Sequence, residues 1–153
     1  MDYEVKVIPE QKLGVINYKG PISDLDILIS KLMGWVDAED IKVDGEPFIV
    51  YFSPRHEVEQ GDAVYDVSIA VFDNPDETED IRVVDMIENK VIAAKHFGST
   101  DNIFDTYTEL VNICEKNHYD IIGSPKEVLI KNFFNCDSED DFITEIQLPI
   151  IEM

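Results

Sequence analysis

A chain of 153 residues, 44% of them hydrophobic, is long enough to bury one core and suits a single domain spanning 1–153. Its formal charge of −21, from 12 basic and 33 acidic residues, argues against nucleic acid as a direct partner, because a phosphate backbone needs a basic stripe to face it. The two cysteines lack paired spacing and the start, Met1-Asp2-Tyr3-Glu4-Val5, has neither a basic leader nor a long apolar run, so the chain reads as cytoplasmic, with no membrane span.

In chain order, residues 3–8 and 13–18 carry the apolar and β-branched residues of strands, with a turn at Pro9-Glu10-Gln11. Gly20-Pro21 stops the second strand, and Ser23 is placed to cap a helix reaching Val36. Leu25, Leu28, Ile29, Leu32 and Val36 fall at helical spacing on one face, and Trp35 sits in the last turn. Strands are expected at 48–52 and 64–72, followed by a polar linker, Asn74-Pro75-Asp76-Glu77-Thr78. Beyond it the order recurs. Asp101 stands as the cap of a second helix whose buried stripe is Phe104, Tyr107, Leu110, Val111 and Cys114, and strands are expected at 128–132 and 142–150.

The recurrence is visible in the letters. KLGVINYKG at 12–20 returns as KVIAAKHFG at 90–98, and GEPFIVY at 45–51 returns as GSPKEVL at 123–129, both at an offset of 78. The alternating run DVSIAV at 66–71 meets EIQLPI at 145–150 at an offset of 79. One supersecondary unit written twice, over 1–73 and 79–153, predicts a duplicated βαββ unit of the α+β class. The expected architecture is an antiparallel sheet of about eight strands with two helices on one face, and a ligand cleft where the copies meet.

Within the second copy, alternation puts Glu127 and Leu129 on one strand face and Val128 and Ile130 on the other. The matching pairs in the first copy are Ile49 with Tyr51, and Val50 with Phe52. With the helices over the Val128 side, Glu127 is expected on the opposite face, where Ile49, Tyr51 and Leu129 make a dry, concave surface. Glu127 stands where the sister strand has Ile49. A carboxylate in such a place is costly unless a cation, a donor or protonation relieves it, and a lipophilic cation also suits aromatic walls. The plain alternative is a solvated strand residue between Lys126 and Lys131, and the pattern leaves both open. Trp35, Tyr51, Tyr65, Phe104 and Tyr107 are candidates to line the pocket with Leu129, against ordinary core packing as the competing reading. His96, at the position of Tyr18, is either a ligand contact or a satisfied structural histidine. His56, His96 and His118 have no zinc-site spacing, no glycine-rich phosphate loop is present, and no nucleophile stands beside a base. The residues therefore point to no metal, no cofactor and no catalytic group.

The opening MDYEV, the turn YKGP at 18–21, the helix end LMGWVD at 32–37, the strand KEVLIKN at 126–132 and the ending TEIQLPI at 144–150 together resemble the GyrI-like family over nearly the whole chain. That family includes small stand-alone gyrase-inhibitory proteins and the effector-binding domains of transcription regulators. The resemblance implies an SHS2-like tandem, two βαββ units around a central cleft. It also implies lipophilic, often cationic, small molecules bound there, with a glutamate of the second copy's strand at the base, the position of Glu127. The family's pattern is glutamate, any residue, tyrosine; this chain has Leu129 in the tyrosine place, and Tyr51 of the sister strand is placed to supply a ring instead. Three functions follow. The first is a stand-alone, non-enzymatic effector- or drug-binding protein without its own DNA-binding domain. The second is an interaction module that meets DNA gyrase or another basic protein through its acidic surface. The third is a hydrolase of reactive electrophilic small molecules using Glu127. The binding protein is the leading expectation.

Overall fold

The computed structural model describes residues 1–53 and 63–152. Among them run nine strands and two α-helices: β1 (Glu4–Ile8), β2 (Gln11–Gly20), α1 (Leu25–Ala38), β3 (Phe48–Tyr51), β4 (Ala63–Val71), β5 (Arg82–Met86), β6 (Asn89–Phe97), α2 (Ile103–Lys116), β7 (Tyr119–Ile121), β8 (Lys126–Lys131) and β9 (Ile143–Glu152). The class is α+β, as expected, with the short β7 in addition to the strands read from the repeat.

Contacts divide the chain into two units, Pro9–Glu88 on the one hand and Met1–Ile8 with Asn89–Met153 on the other. In the first unit the antiparallel order is β3-β4-β2-β5. In the second it is β1-β6-β9-β8, with β7 also on β9. The opening strands of the two repeats are thus exchanged: β1 pairs with β6, and β5 pairs with β2. Pro9, which has no N–H to give to a ladder, marks the crossing from one unit to the other.

In the first unit β4 is buried along nearly its whole length, and α1 covers it with Leu28, Ile29, Leu32, Trp35 and Val36. Gly14 of β2 is demanded by close approach, since a Cβ there would lie 2.5 Å from Cζ3 of Trp35. The second repeat reverses the sizes: Ile92 replaces the glycine and Ile113 the tryptophan. In the second unit Ile103, Leu110 and Cys114 of α2 pack on Ile92, Ala94, Ile146, Leu148 and Ile150. Fully burying each such aliphatic chain contributes about 1.5–3 kcal/mol.

The helix starts differ from expectation. Three-residue 3₁₀ turns, Ile22–Asp24 and Thr100–Asn102, precede the helices, so Asp24 and Asn102, not Ser23 and Asp101, occupy the cap positions, and neither makes a side-chain cap bond. The stripe of α2 shifts accordingly. Ile103 lies two turns before Leu110 and takes the inward slot, leaving Phe104, one residue further round, 37% exposed. Both helices end on a left-handed residue at equivalent places, Asp40 (φ 50°) and His118 (φ 60°), which assigns His118 a helix-stop role.

Candidate functional site

Glu127 lies opposite Ile146 in the β8–β9 ladder, and Leu129 lies opposite Thr144. Directly paired residues share a face. Ile146 belongs to the core beneath α2, so Glu127 and Leu129 face the helix. The expectation that helices cover Val128 and Ile130 is overturned. Apolar residues occupy both faces of this strand, and only its register with β9 decides which face goes inward. Glu127 is 2% exposed, as is Leu129, so a solvated strand carboxylate does not describe the site. The hydroxyl of Tyr107, on α2, donates to Oε2 of Glu127 at 2.6 Å. Thr144 beside them is fully buried, and its Oγ1 has no hydrogen-bond partner among the described residues. On the other face of β8, burial holds the Lys126 ammonium down at about 8.

The repeat makes the pair informative. At the offset of 78, Tyr107 matches Ile29 and Glu127 matches Ile49. Both isoleucines are 1% exposed. One copy therefore places two aliphatic chains where the other places a phenol and a carboxylate joined by a hydrogen bond. A charged hydrogen bond contributes about 1.5–3 kcal/mol, whereas desolvating a carboxylate costs several. The polar version fills the same space with a hydrogen-bonded phenol and carboxyl group, at a desolvation cost that the aliphatic pair does not carry.

The remaining candidates separate into other settings. In the first unit Tyr51 and Tyr65 stand with ring centroids 6.2 Å apart, and Tyr18 meets Tyr65 edge-on at 5.6 Å. Tyr65 is fully buried and donates to the carbonyl of Pro21 at 3.2 Å; burial raises its phenol far above the usual value. Trp35 packs over Gly14 and donates Nε1–H to the carbonyl of Asp76 at 3.2 Å. His96 is saturated: Nε2–H donates to the carbonyl of Ser99 at 2.8 Å, and the Thr106 hydroxyl serves Nδ1 at 2.7 Å. It ties the end of β6 to the start of α2. Tyr18, its counterpart, does the same for β2 by donating to Asp24, a bond that raises the Tyr18 phenol. Phe104 is at the surface, as described above.

The structure thus joins Glu127, Tyr107 and Leu129 in one unit, and Tyr51 and Tyr65 in the other. Tyr18 and Thr144 were not among the candidates. Their relevance depends on cross-strand partners, Tyr65 and Leu129, that only strand pairing supplies. His56 lies outside the described residues. Among the described residues no three His, Cys, Asp or Glu side chains cluster as metal ligands, and no helix is long and apolar enough to cross a membrane.

A family described as the GyrI-like small molecule binding domain matches residues 1–151. No curated protein sequence matches the chain. Among solved structures, the C-terminal domain of EcmrR is similar with a TM-score of 0.88 at 21% identity, over 99% of this chain and 98% of that one. An uncharacterized conserved protein from Listeria innocua gives 0.79 at 14% identity, over 97% and 92% of the two chains. SAV2435, solved bound to tetraphenylphosphonium, gives 0.60 at 13% identity, over 99% and 94%. At such identities the likeness is one of fold.

Proposed function

Because this chain belongs to the GyrI-like small-molecule-binding family, we propose that it is an effector- or drug-binding protein whose ligand is a lipophilic cation held against Glu127. The observation that carries this is the replacement of the buried Ile29 and Ile49 of one repeat by Tyr107 and Glu127, hydrogen-bonded at 2.6 Å, in the other. A fold has no packing reason to exchange a buried aliphatic pair for a buried carboxylate, whereas a cation's ligand site requires one. The tetraphenylphosphonium held by SAV2435 supports the ligand class. Leu129, where the family carries tyrosine, offers no hydroxyl, which favours a ligand that is recognised by charge and apolar contact alone. Tyr51 and Tyr65 belong to the other unit, and the proposal does not rest on them.

The test is a thermal shift of wild type and Glu127→Gln with tetraphenylphosphonium, a neutral tetraphenyl isostere and tetraphenylborate. A ligand at 100 times its Kd stabilises the native state by about 2.7 kcal/mol. A shift with the cation alone, lost in Glu127→Gln, supports the reading; a shift retained in the variant, or none with the cation, overturns it. Recovery of the cation unchanged after incubation separates binding from hydrolysis.

A further inference from the structure

Residues on the face of β6 and β9 that α2 leaves uncovered alternate with the core. Ala93 and Lys95 lie between or beyond Ile92 and Ala94, and Glu145 precedes Ile146. A cavity of about 600 Å³ opens on that face. Ala93, Lys95 and Glu145 line it from the sheet, the segment Met1–Glu4 forms a wall, and Phe97 stands at its side. Its volume is that of a small-molecule site, for which about 300–1,000 Å³ is usual.

Glu145 is the polar centre of this cavity. Its residue exposure is 8%, and its Oε2 accepts both from Lys6 Nζ at 2.9 Å and from Gln147 Nε2 at 2.6 Å. The second oxygen, Oε1, accepts no hydrogen bond among the described residues, although Glu145 lines the cavity. Lys6 is shared, since its ammonium also lies 3.4 Å from Glu4 Oε1. Asp2, Glu4 and Glu145 stand with the ammoniums of Lys6 and Lys95 and the amino group of Met1, so charges of both signs line the cavity and Lys6 engages only one oxygen of Glu145. The walls add aromatic surface: Tyr3 is 44% exposed and Phe97 69% exposed, rings left uncovered beside the opening.

We propose that this cavity binds a protonated organic amine with an aromatic or aliphatic body, its N–H donating to Glu145 Oε1 and its body lying against Tyr3 and Phe97. An open carboxylate oxygen asks for a donor, so a primary or secondary ammonium fits where a quaternary cation does not. The site stands apart from the Tyr107–Glu127 pair: Glu145 and Glu127 extend from neighbouring strands on opposite sides of the sheet. It does not rest on the Glu127 reading.

The experiment is amide chemical-shift titration of the full chain with 2-phenylethylamine, its N-trimethyl analogue and 2-phenylethanol. The amine is expected to move the amides of Ala93, Lys95 and Glu145 and to bind at least about tenfold tighter than the other two. Glu145→Gln should weaken the amine by a similar factor, and Glu127→Gln should leave it unchanged. Because Glu145→Gln also removes the charge that pairs with Lys6 and so risks the fold, Ala93→Leu is the second variant. It fills the floor while keeping the Lys6–Glu145 bridge, and the same loss of amine binding is expected with the remaining spectrum native. Equal binding of the trimethyl analogue, amine affinity surviving in both cavity variants, shifts confined to the surroundings of Glu127, or no shift at all overturns the proposal.

Discussion

Replacing Gly14 by alanine asks whether the Trp35 ring dictates that glycine. A Cβ at this position lies 2.5 Å from Cζ3 and 2.8 Å from Cη2 of the indole. Carbon atoms settle at about 3.5–4.0 Å, so the ring must withdraw by roughly 1 Å. It has little room to do so, being 6% exposed and anchored by its bond to the Asp76 carbonyl. Overpacking costs about 1–3 kcal/mol and the indole hydrogen bond about 1, while alanine's stiffer unfolded chain returns about 0.4–1. The net expectation is a loss of about 1–3 kcal/mol. Urea unfolding followed by fluorescence reads this directly, because Trp35 is the single tryptophan. The midpoint should fall at unchanged m, with native emission shifted to the red. Adding Trp35→Leu, followed by circular dichroism, should recover much of the loss through a coupling of about 1 kcal/mol or more. A Gly14→Ala protein within about 0.5 kcal/mol of wild type, with unchanged emission, would refute the steric account.

Converting the polar pair to its sister, Tyr107→Ile with Glu127→Ile, should raise stability by about 1–4 kcal/mol in urea, whereas Tyr107→Phe alone should lower it by about 1–3 kcal/mol. A double variant less stable than wild type would mean that the pair is there for stability. Lys126 yields a pH prediction. Burial holds its ammonium at about 8, below the unfolded value of about 10.4, so between these the unfolded chain binds a proton that the folded chain has lost. The urea midpoint should therefore rise with pH from about 8 to about 10, beyond which unfolded tyrosines begin to ionise, and Lys126→Met should flatten the rise. A flat wild-type profile over that range would count against the burial account.

Much of the fold was legible because it rests on local spacing. The repeat at an offset of 78, the helical stripe of Leu28, Ile29, Leu32 and Val36, and the alternation around Glu127 all follow from residue order. Phe104 was misplaced because a 3₁₀ turn before α2 hands its slot to Ile103, a rotation that helical periodicity alone does not register. Ser23 and Asp101 failed as caps for the same reason. Glu127 was legible as the residue that breaks the symmetry of the repeats, but its partner was not. Tyr107 belongs to another element 20 residues away, and the bond exists only once β8 has its register with β9 and α2 has its face.

The sequence by itself determined that one βαββ unit occurs twice, that the chain is strongly acidic, and that one copy carries Glu127 where the other carries Ile49. These are properties of composition and short spacing, which need no partner. Tertiary structure decided that β1 and β5 exchange units, that Glu127 faces the helix, and that Glu145 lines a cavity on the opposite side. Alternation divides a strand into two faces without saying which is covered, and a ladder register shifted by one residue reverses them. The choice is made by pairings between distant segments, where burial of Ile146 and its neighbours under α2 sets the energy.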